Sequence, residues 1–280
     1  RAVGPCGQAA GYVGRRRSFG RGTFLQVYGS NLMQYVGGKQ KSGGAQIAKA
    51  INAAIVRSGA TTYSEPFCGG LSVLSRIVAP VRMASDACEA LIALYRALQN
   101  GWQPPAEMTR EEWTRLRDAN DATDPLTAFA GFGCSNRAAW FGTYLKQSKR
   151  TDDHYVPAAL AAAESLVRKM SKCADVEFAA RTYDHAPLGD VVYCDPPYDG
   201  TLGYPAVGPW DAPAFWQWVR SQAVSRLICV SERAAPADFQ PLLTFSIQSR
   251  IAVQTGARRT EHLFVHESQL QRWCELTAQA

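Results

Sequence analysis

Four consecutive residues, Asp195-Pro196-Pro197-Tyr198, follow the apolar run Val191-Val192-Tyr193-Cys194. Adjacent prolines neither continue a strand nor enter a helix interior, so they fix a stiff turn. Pro196 has no N–H, and its surroundings therefore present carbonyl oxygens. A carboxylate, a carbonyl and an aromatic ring are thus held on one rigid support. That set suits a planar base with an amino group. Asp195 and a carbonyl accept the two amino hydrogens, and Tyr198 stacks on the ring. The bland alternative is a structural turn with a capping Asp, against which the preceding strand and the following Tyr weigh.

Two further segments bring ligand-binding chemistry. Glu65-Pro66-Phe67-Cys68-Gly69-Gly70 follows a short strand candidate, and its glycines let backbone approach a ligand. The spacing is not G-x-G-x-x-G, which disfavours a dinucleotide. Asp86 ends the next strand candidate, where an acid commonly holds the ribose hydroxyls of an adenosine-type ligand. It also suits capping of the helix that follows, and the two roles are compatible. Tyr35-Val36-Gly37-Gly38-Lys39 invites a P-loop reading that fails, because Gln40 stands where Ser or Thr is required. What survives is a flexible turn delivering Lys39 to an anionic group, or else a solvated basic turn.

The elements that must position these residues alternate strand and helix. The spacing predicts helices over Ala45–Arg57, Leu71–Val78, Ala87–Gln99, Ala158–Lys172 and Ala212–Ala223. Strands are predicted over Thr61–Ser64, Val81–Ser85, Val176–Ala180, Asp190–Cys194 and Arg226–Ser231, with a closing antiparallel pair over Phe245–Val253 and Glu261–His266. Alternation with chemistry at strand C-termini is the doubly wound α/β plan. Between about Glu107 and Ala174 the pattern changes to aromatics (Trp113, Phe129, Phe132, Trp140, Phe141, Tyr144) beside the basic Lys146, Lys149 and Arg150. This stretch reads as an insertion. Its cations are candidates for DNA-backbone contact, and its aromatics fit a core as well as a binding face.

The formal net charge is +6, but residues 1–32 hold Arg1, Arg15, Arg16, Arg17 and Arg21 and no acid, leaving 25 basic against 24 acidic residues in the remainder. Net charge alone is thus weak evidence for nucleic acid, and clustering carries the argument. No apolar run approaches the roughly 20 residues of a membrane span. The eight cysteines form no C-x-x-C pair and read as reduced, buried thiols of a cytoplasmic protein. His262 and His266 share a strand face without a third ligand nearby, so no metal is expected. The Gly- and Arg-rich residues 1–32 read as a disordered extension before Met33, from a misassigned start, with a phosphate-touching arm as the sharper alternative.

Taken in order, Gly37-Gly38-Lys39, Glu65-Pro66-Phe67-x-Gly-Gly, Asp86 and Asp195-Pro196-Pro197-Tyr198 resemble the motifs of the Dam-type DNA adenine-N6 methyltransferases in the alpha arrangement. The resemblance spans roughly Met33 to His266, and Ser231-Glu232 and Thr260–Val265 are similar to that family's C-terminal portion. It implies a class I S-adenosylmethionine-dependent methyltransferase fold, a Rossmann-like doubly wound sheet with an inserted target-recognition subdomain. The divisions are then an extension over 1–32, core over 33–106, insertion over 107–174 and core over 175–280. The implied cofactor is S-adenosyl-L-methionine and the implied partner is double-stranded DNA with the target adenine flipped out. Whether a restriction nuclease accompanies it stays open.

The resemblance also implies roles. Tyr35, Gly37, Gly38 and Lys39 contact the cofactor, with Lys39 near its carboxylate. Glu65, Pro66, Phe67, Gly69 and Gly70 form the loop beside its methionine part; Asp86 holds the ribose and Asp184 lies near the adenine. Asp195 borders both cofactor and target amine. In the middle region, Phe132–Arg137 departs from the family's pattern, which leaves the recognised DNA sequence open. Methylation of cytosine N4 or of RNA, or an inactive DNA-binding relative, are the alternatives. Asn before Pro-Pro-Tyr usually marks glutamine methylation, so Asp195 argues against that substrate.

Overall fold

The computed structural model describes residues 43–136, 139–149, 154–197, 210–248 and 258–278. The first helix, α1 (Gly44–Ser58), buries Ile47, Ile51, Ala54 and Ile55 along one stripe. It ends where Gly59 takes φ 70°, and Gly59 donates its N–H to Ile55 O. The next elements are β1 (Thr62–Glu65), β2 (Val81–Asp86) and α2 (Glu89–Gln99). A middle stretch then holds α3 (Arg110–Ala119), α4 (Pro125–Ala128), β3 (Gln147–Lys149), β4 (Tyr155–Pro157) and α5 (Ala158–Met170). The chain continues through β5 (Glu177–Ala180), β6 (Val191–Cys194), α6 (Ala212–Ala223), β7 (Leu227–Glu232), β8 (Phe239–Gln248), β9 (Arg258–His266) and α7 (Glu267–Thr277).

Seven strands form one sheet in the order β5-β2-β1-β6-β7-β9-β8. The first five run parallel, while β9 is antiparallel to both β7 and β8. Parallel strands covered on both faces are buried throughout, and β6 and β7 are. Val191 and Tyr193 join one apolar cluster with α1, whereas Val192 and Cys194 join the other, with Phe215 and Val219 of α6. Helices therefore cover both faces, the doubly wound plan expected. The strand order turns back between β1 and β6, and ligands bind beyond the strand C-termini at such a point.

The opposite ends of β1 and β6 are pinned by chemistry. Asp190 Oδ2 accepts from Thr61 N (3.0 Å), Thr62 N (3.0 Å) and Thr62 Oγ1 (2.7 Å). A Cβ on Gly189 would stand 2.8 Å from Thr62 backbone atoms, so only glycine permits this approach.

Four elements differ from expectation. Leu71–Val78 is not a helix: only a 3₁₀ turn forms, over Leu74–Arg76. Leu71 sits at φ 57°, a left-handed conformation that a right-handed helix cannot pass through. The first strand of the closing pair starts at Phe239 rather than Phe245. It is the sheet's edge strand, with a register shift between Pro241 and Leu243, and an edge tolerates proline because one side needs no N–H. Helices α3 and α7 were not anticipated. α3 buries only Trp113 and Leu116, and its start is fixed by Thr109, whose side chain accepts from Glu112 N.

The middle stretch adds no strand to the large sheet among the described residues; β3 and β4 pair only with each other. Its aromatics are core. Trp113, Phe129, Phe132 and Phe141 are buried in the same cluster as α1 and α2, with Trp140 and Tyr144 packed against it.

Candidate active site

Glu65 ends β1 and is buried, 2% exposed. Tyr63, two residues earlier and so on the same strand face, donates its hydroxyl to Glu65 Oε1 at 2.6 Å. Burial pushes the Glu65 carboxyl from 4.5 up to about 8; the Tyr63 bond opposes this, the Asp195 charge adds to it, and Arg82 opposes it. The group is therefore a neutral acid at pH 7. Its electrostatic coupling to Asp195 follows from the register, in which Tyr63 and Ser64 pair with Val191 and Val192.

Beyond Glu65 the chain makes a turn whose polar groups point into the protein. Gly69 has φ 39° and Leu71 φ 57°. Asp86, at the end of β2, accepts from Gly69 N with Oδ2 and from Cys88 N with Oδ1, both at 3.0 Å. The Cys88 contact closes a turn just before α2; the N-cap position is Cys88 itself and no side chain caps the helix, so Asp86 is not the helix cap expected. Burial raises the Asp86 carboxyl to about 6, against the two amide bonds, which favour its charged form. Tyr95 of α2 donates to Gly69 O at 2.6 Å, and Lys169 of α5 donates to Gly70 O. Pro66 and Gly70 are buried; Phe67 and Gly69 are half-buried.

Phe67 leads into a ring cluster. It stacks on Tyr183 with centroids 5.6 Å apart and 22° between planes, and meets Trp210 and Phe215 edge-on at 5.8 and 5.7 Å. Tyr183 precedes Asp184, an exposed residue 3.2 Å from His185 Nδ1. Hydrogen bonding to Thr182 is the main cause holding the Asp184 carboxyl below its usual range.

Asp195 leaves the end of β6 half-buried, followed by buried Pro196 and half-buried Pro197. Tyr193 Oη lies 2.9 Å from Ser231 Oγ, joining β6 to β7 beneath this turn. Pro196, Trp210, Phe215, Trp216, Arg220 and Glu232 line a cleft of about 760 Å³ beside it. One rim thus gathers Glu65, the Gly69–Gly70 turn and Asp86 from β1 and β2 with Asp195 and Pro196 from β6. Tyr35, Gly37, Gly38, Lys39, Arg150 and Tyr198 lie outside the described residues.

Lys146 and Lys149 are exposed at the β3–β4 hairpin. Cys68, Cys88, Cys134, Cys173, Cys194 and Cys229 are buried thiols and Cys274 is exposed. The two histidines of β9 have local partners: His262 Nδ1 is 2.9 Å from Thr244 Oγ1, and His266 Nδ1 is 2.8 Å from Ser268 Oγ. Sequence reasoning overlooked Tyr63, Tyr95, Tyr183, Trp210 and Lys169. The signal for Tyr63 was its period-two relation to Glu65. That for Lys169 was a cation on the apolar stripe of an Ala-rich helix.

The family model for D12 class N6 adenine-specific DNA methyltransferases matches residues 35–210. A solved rRNA methyltransferase, aviRa from Streptomyces viridochromogenes, is similar at 18% identity over 81% of this chain and 86% of that chain, with a TM-score of 0.38. No curated protein matches the chain. Among the described residues, no helix is long and apolar enough to cross a membrane.

Proposed function

Since the chain belongs to the D12 class of N6 adenine-specific DNA methyltransferases, we propose that it carries a methyl group from S-adenosyl-L-methionine to N6 of an adenine flipped out of duplex DNA. The observation that supports this most is the shared rim. The turn after β1, Asp86 after β2 and Asp195-Pro196 after β6 meet where the strand order reverses.

The residues on that rim fit the implied cofactor. Asp86 spends one acceptor position of each oxygen on a backbone amide, so each keeps a second for a ribose hydroxyl. Phe67 and Tyr183 offer aromatic faces, and Asp184 stands next to Tyr183 on the side assigned to the adenine. Pro66, Gly69 and Gly70 with neutral Glu65 form the loop assigned to the methionine part. The sulfonium cofactor, when bound, supplies an electrophilic methyl group. Tyr35, Gly37, Gly38 and Lys39 complete this assignment from the segment before α1.

An amino group paired inside a duplex is enclosed, so the base must leave the stack before it reacts. Tyr198 stacks on the extruded ring, while Asp195 and the Pro196 carbonyl accept the two N6 protons and orient the nitrogen lone pair. Pro196 and Pro197 hold these acceptors stiffly, and orientation of this kind supplies much of a two-substrate rate advantage. Residues 107–174 serve as the target-recognition insertion, with Lys146, Lys149 and Arg150 on the DNA backbone.

The test is transfer from the labelled cofactor to duplex DNA, followed by digestion to nucleosides and mass detection. N6-methyladenine is expected, with Asp195→Ala at least 100-fold slower under saturating cofactor. Methyl on cytosine N4, or an Asp195→Ala variant at the parent rate, would overturn the assignment.

A further inference from the structure

Lys169 is 6% exposed, near the C-terminal end of α5, on a stripe shared with Ala158, Ala162, Ser165, Leu166 and Met170. Its Nζ donates to the carbonyl of Gly70. Burial lowers its pKa from 10.5 to about 8, and Arg76 and Arg168 repel it further. A buried ammonium held by a carbonyl rather than a carboxylate is costly, and a leucine or methionine there would serve the core better. What the lysine does provide is a grip on the turn after β1.

That turn is held from three directions. Gly69 O takes the Tyr95 hydroxyl from α2, Gly70 O takes Lys169 from α5, and Ser72 O takes Arg76 from the 3₁₀ turn. The Gly70 carbonyl and the Leu71 N–H belong to one planar peptide. The N–H of that peptide is bonded to Cys68 O at 2.9 Å, so Lys169 fixes its other end. Leu71 pays for its left-handed φ of 57° and relaxes if that end is released.

We propose that Lys169 is a positioning residue for the methyl-donor loop: by holding the Gly70 carbonyl from the helix that follows the β3–β4 hairpin, it keeps the flanking Gly69 and Leu71 in their left-handed conformations. The inference rests on the reading that this loop holds the donor. It makes the middle stretch a structural partner of the cofactor site as well as a candidate DNA-binding face.

The test compares wild type, Lys169→Met and Lys169→Gln in the full chain, with S-adenosylhomocysteine binding followed by calorimetry. Lys169→Met is expected to bind at least 10-fold more weakly and to raise KM for the cofactor while kcat changes less than threefold. Its Tm should hold or rise. In the ligand-free protein, amide exchange over residues 69–72 should quicken. Lys169→Gln, which keeps a donor without the charge, should fall between. Wild-type affinity relative to the Met variant should decline as pH passes about 8. Arg76, Arg168 and Cys173 are the groups that face Lys169, and burial raises the Cys173 thiol to about 12, well above this range. Variants that bind within twofold of wild type, or that lose affinity only in proportion to a lowered Tm, would overturn the inference. Failure of wild type itself to bind would overturn the cofactor reading instead.

Discussion

Glu65→Gln should change the pH dependence of stability in a calculable way. The Glu65 carboxyl is 2% exposed and accepts the Tyr63 hydroxyl at 2.6 Å. Burial raises its pKa from 4.5 to about 8. A carboxyl whose pKa is higher in the fold keeps its proton while the open chain releases one. The stability it contributes is therefore intact below pH 4.5 and is lost progressively as pH rises towards 8. At 1.36 kcal/mol per pH unit the full loss is about 5 kcal/mol, of which about 3 kcal/mol falls between pH 5 and 7. Glutamine resembles the protonated acid: its carbonyl takes the Tyr63 hydroxyl and it has no proton to lose. Asp86, raised to about 6, gives the wild type and the variant the same slope at lower pH, so their difference isolates Glu65. Urea denaturation followed by tryptophan fluorescence, at pH 5 and 8.5 and matched ionic strength, should find the two within about 1 kcal/mol at pH 5. At pH 8.5 the variant should be about 3–5 kcal/mol more stable by the same linkage. A difference that is equal at the two pH values would refute the buried neutral acid.

Asp86→Asn keeps one oxygen for the Cys88 amide, but its amide nitrogen cannot accept from Gly69 N, so the Tm should fall modestly. S-adenosylhomocysteine should bind about 10–100-fold more weakly, from charge-assisted hydrogen bonds worth roughly 1.5–3 kcal/mol; unchanged affinity with a lower Tm would leave Asp86 as a structural anchor of the Gly69 and Cys88 amides alone. Lys146→Gln with Lys149→Gln should weaken DNA binding and reduce the steepness of its salt dependence by about 0.9 for each phosphate that is no longer neutralised. Cofactor binding should not move, and an unchanged salt slope would remove the hairpin from the DNA interface.

The parallel strands were readable because each is a short apolar run closed by a polar residue: Val191–Cys194 before Asp195, and Val81–Ser85 before Asp86. α1 and α6 were readable from apolar period. What escaped was set by tertiary contacts. The helix expected from Leu71 is prevented by that residue's φ of 57°, held by neighbours from β2, α2 and α5 that no local window contains. α3 has only two buried residues and a cap at Thr109, too little apolar period to announce it. The middle aromatics fitted a core or a DNA face equally by type, and only the burial of Trp113, Phe129, Phe132 and Phe141 decides for the core. Within the site, the carboxylates were legible from strand ends. The ring cluster was not, because Phe67, Tyr183 and Trp210 are far apart in sequence.

The rim is built against the stability of the fold. Glu65 and Asp86 are carboxyls whose charged forms burial disfavours, Lys169 is a buried ammonium on a carbonyl, and Leu71 sits left-handed. Each costs free energy that core packing must offset, and a fold selected for stability alone would shed them. Asp86, Lys169 and Leu71 share the short span from Gly69 to Ser72, which is gripped by Asp86 of β2, Tyr95 of α2, Lys169 of α5 and Arg76 of the 3₁₀ turn. Arg76 grips Ser72 from four residues away, but the holds on Gly69 and Gly70 all come from other elements. The turn is therefore complete only when β2, α2 and α5 are all docked. Because α5 continues directly from β4, the middle stretch must fold onto the sheet before the rim is complete. Cofactor binding should then report on the docking of the same stretch that carries the hairpin cations, and substitutions in the α5 core should weaken cofactor binding without touching it.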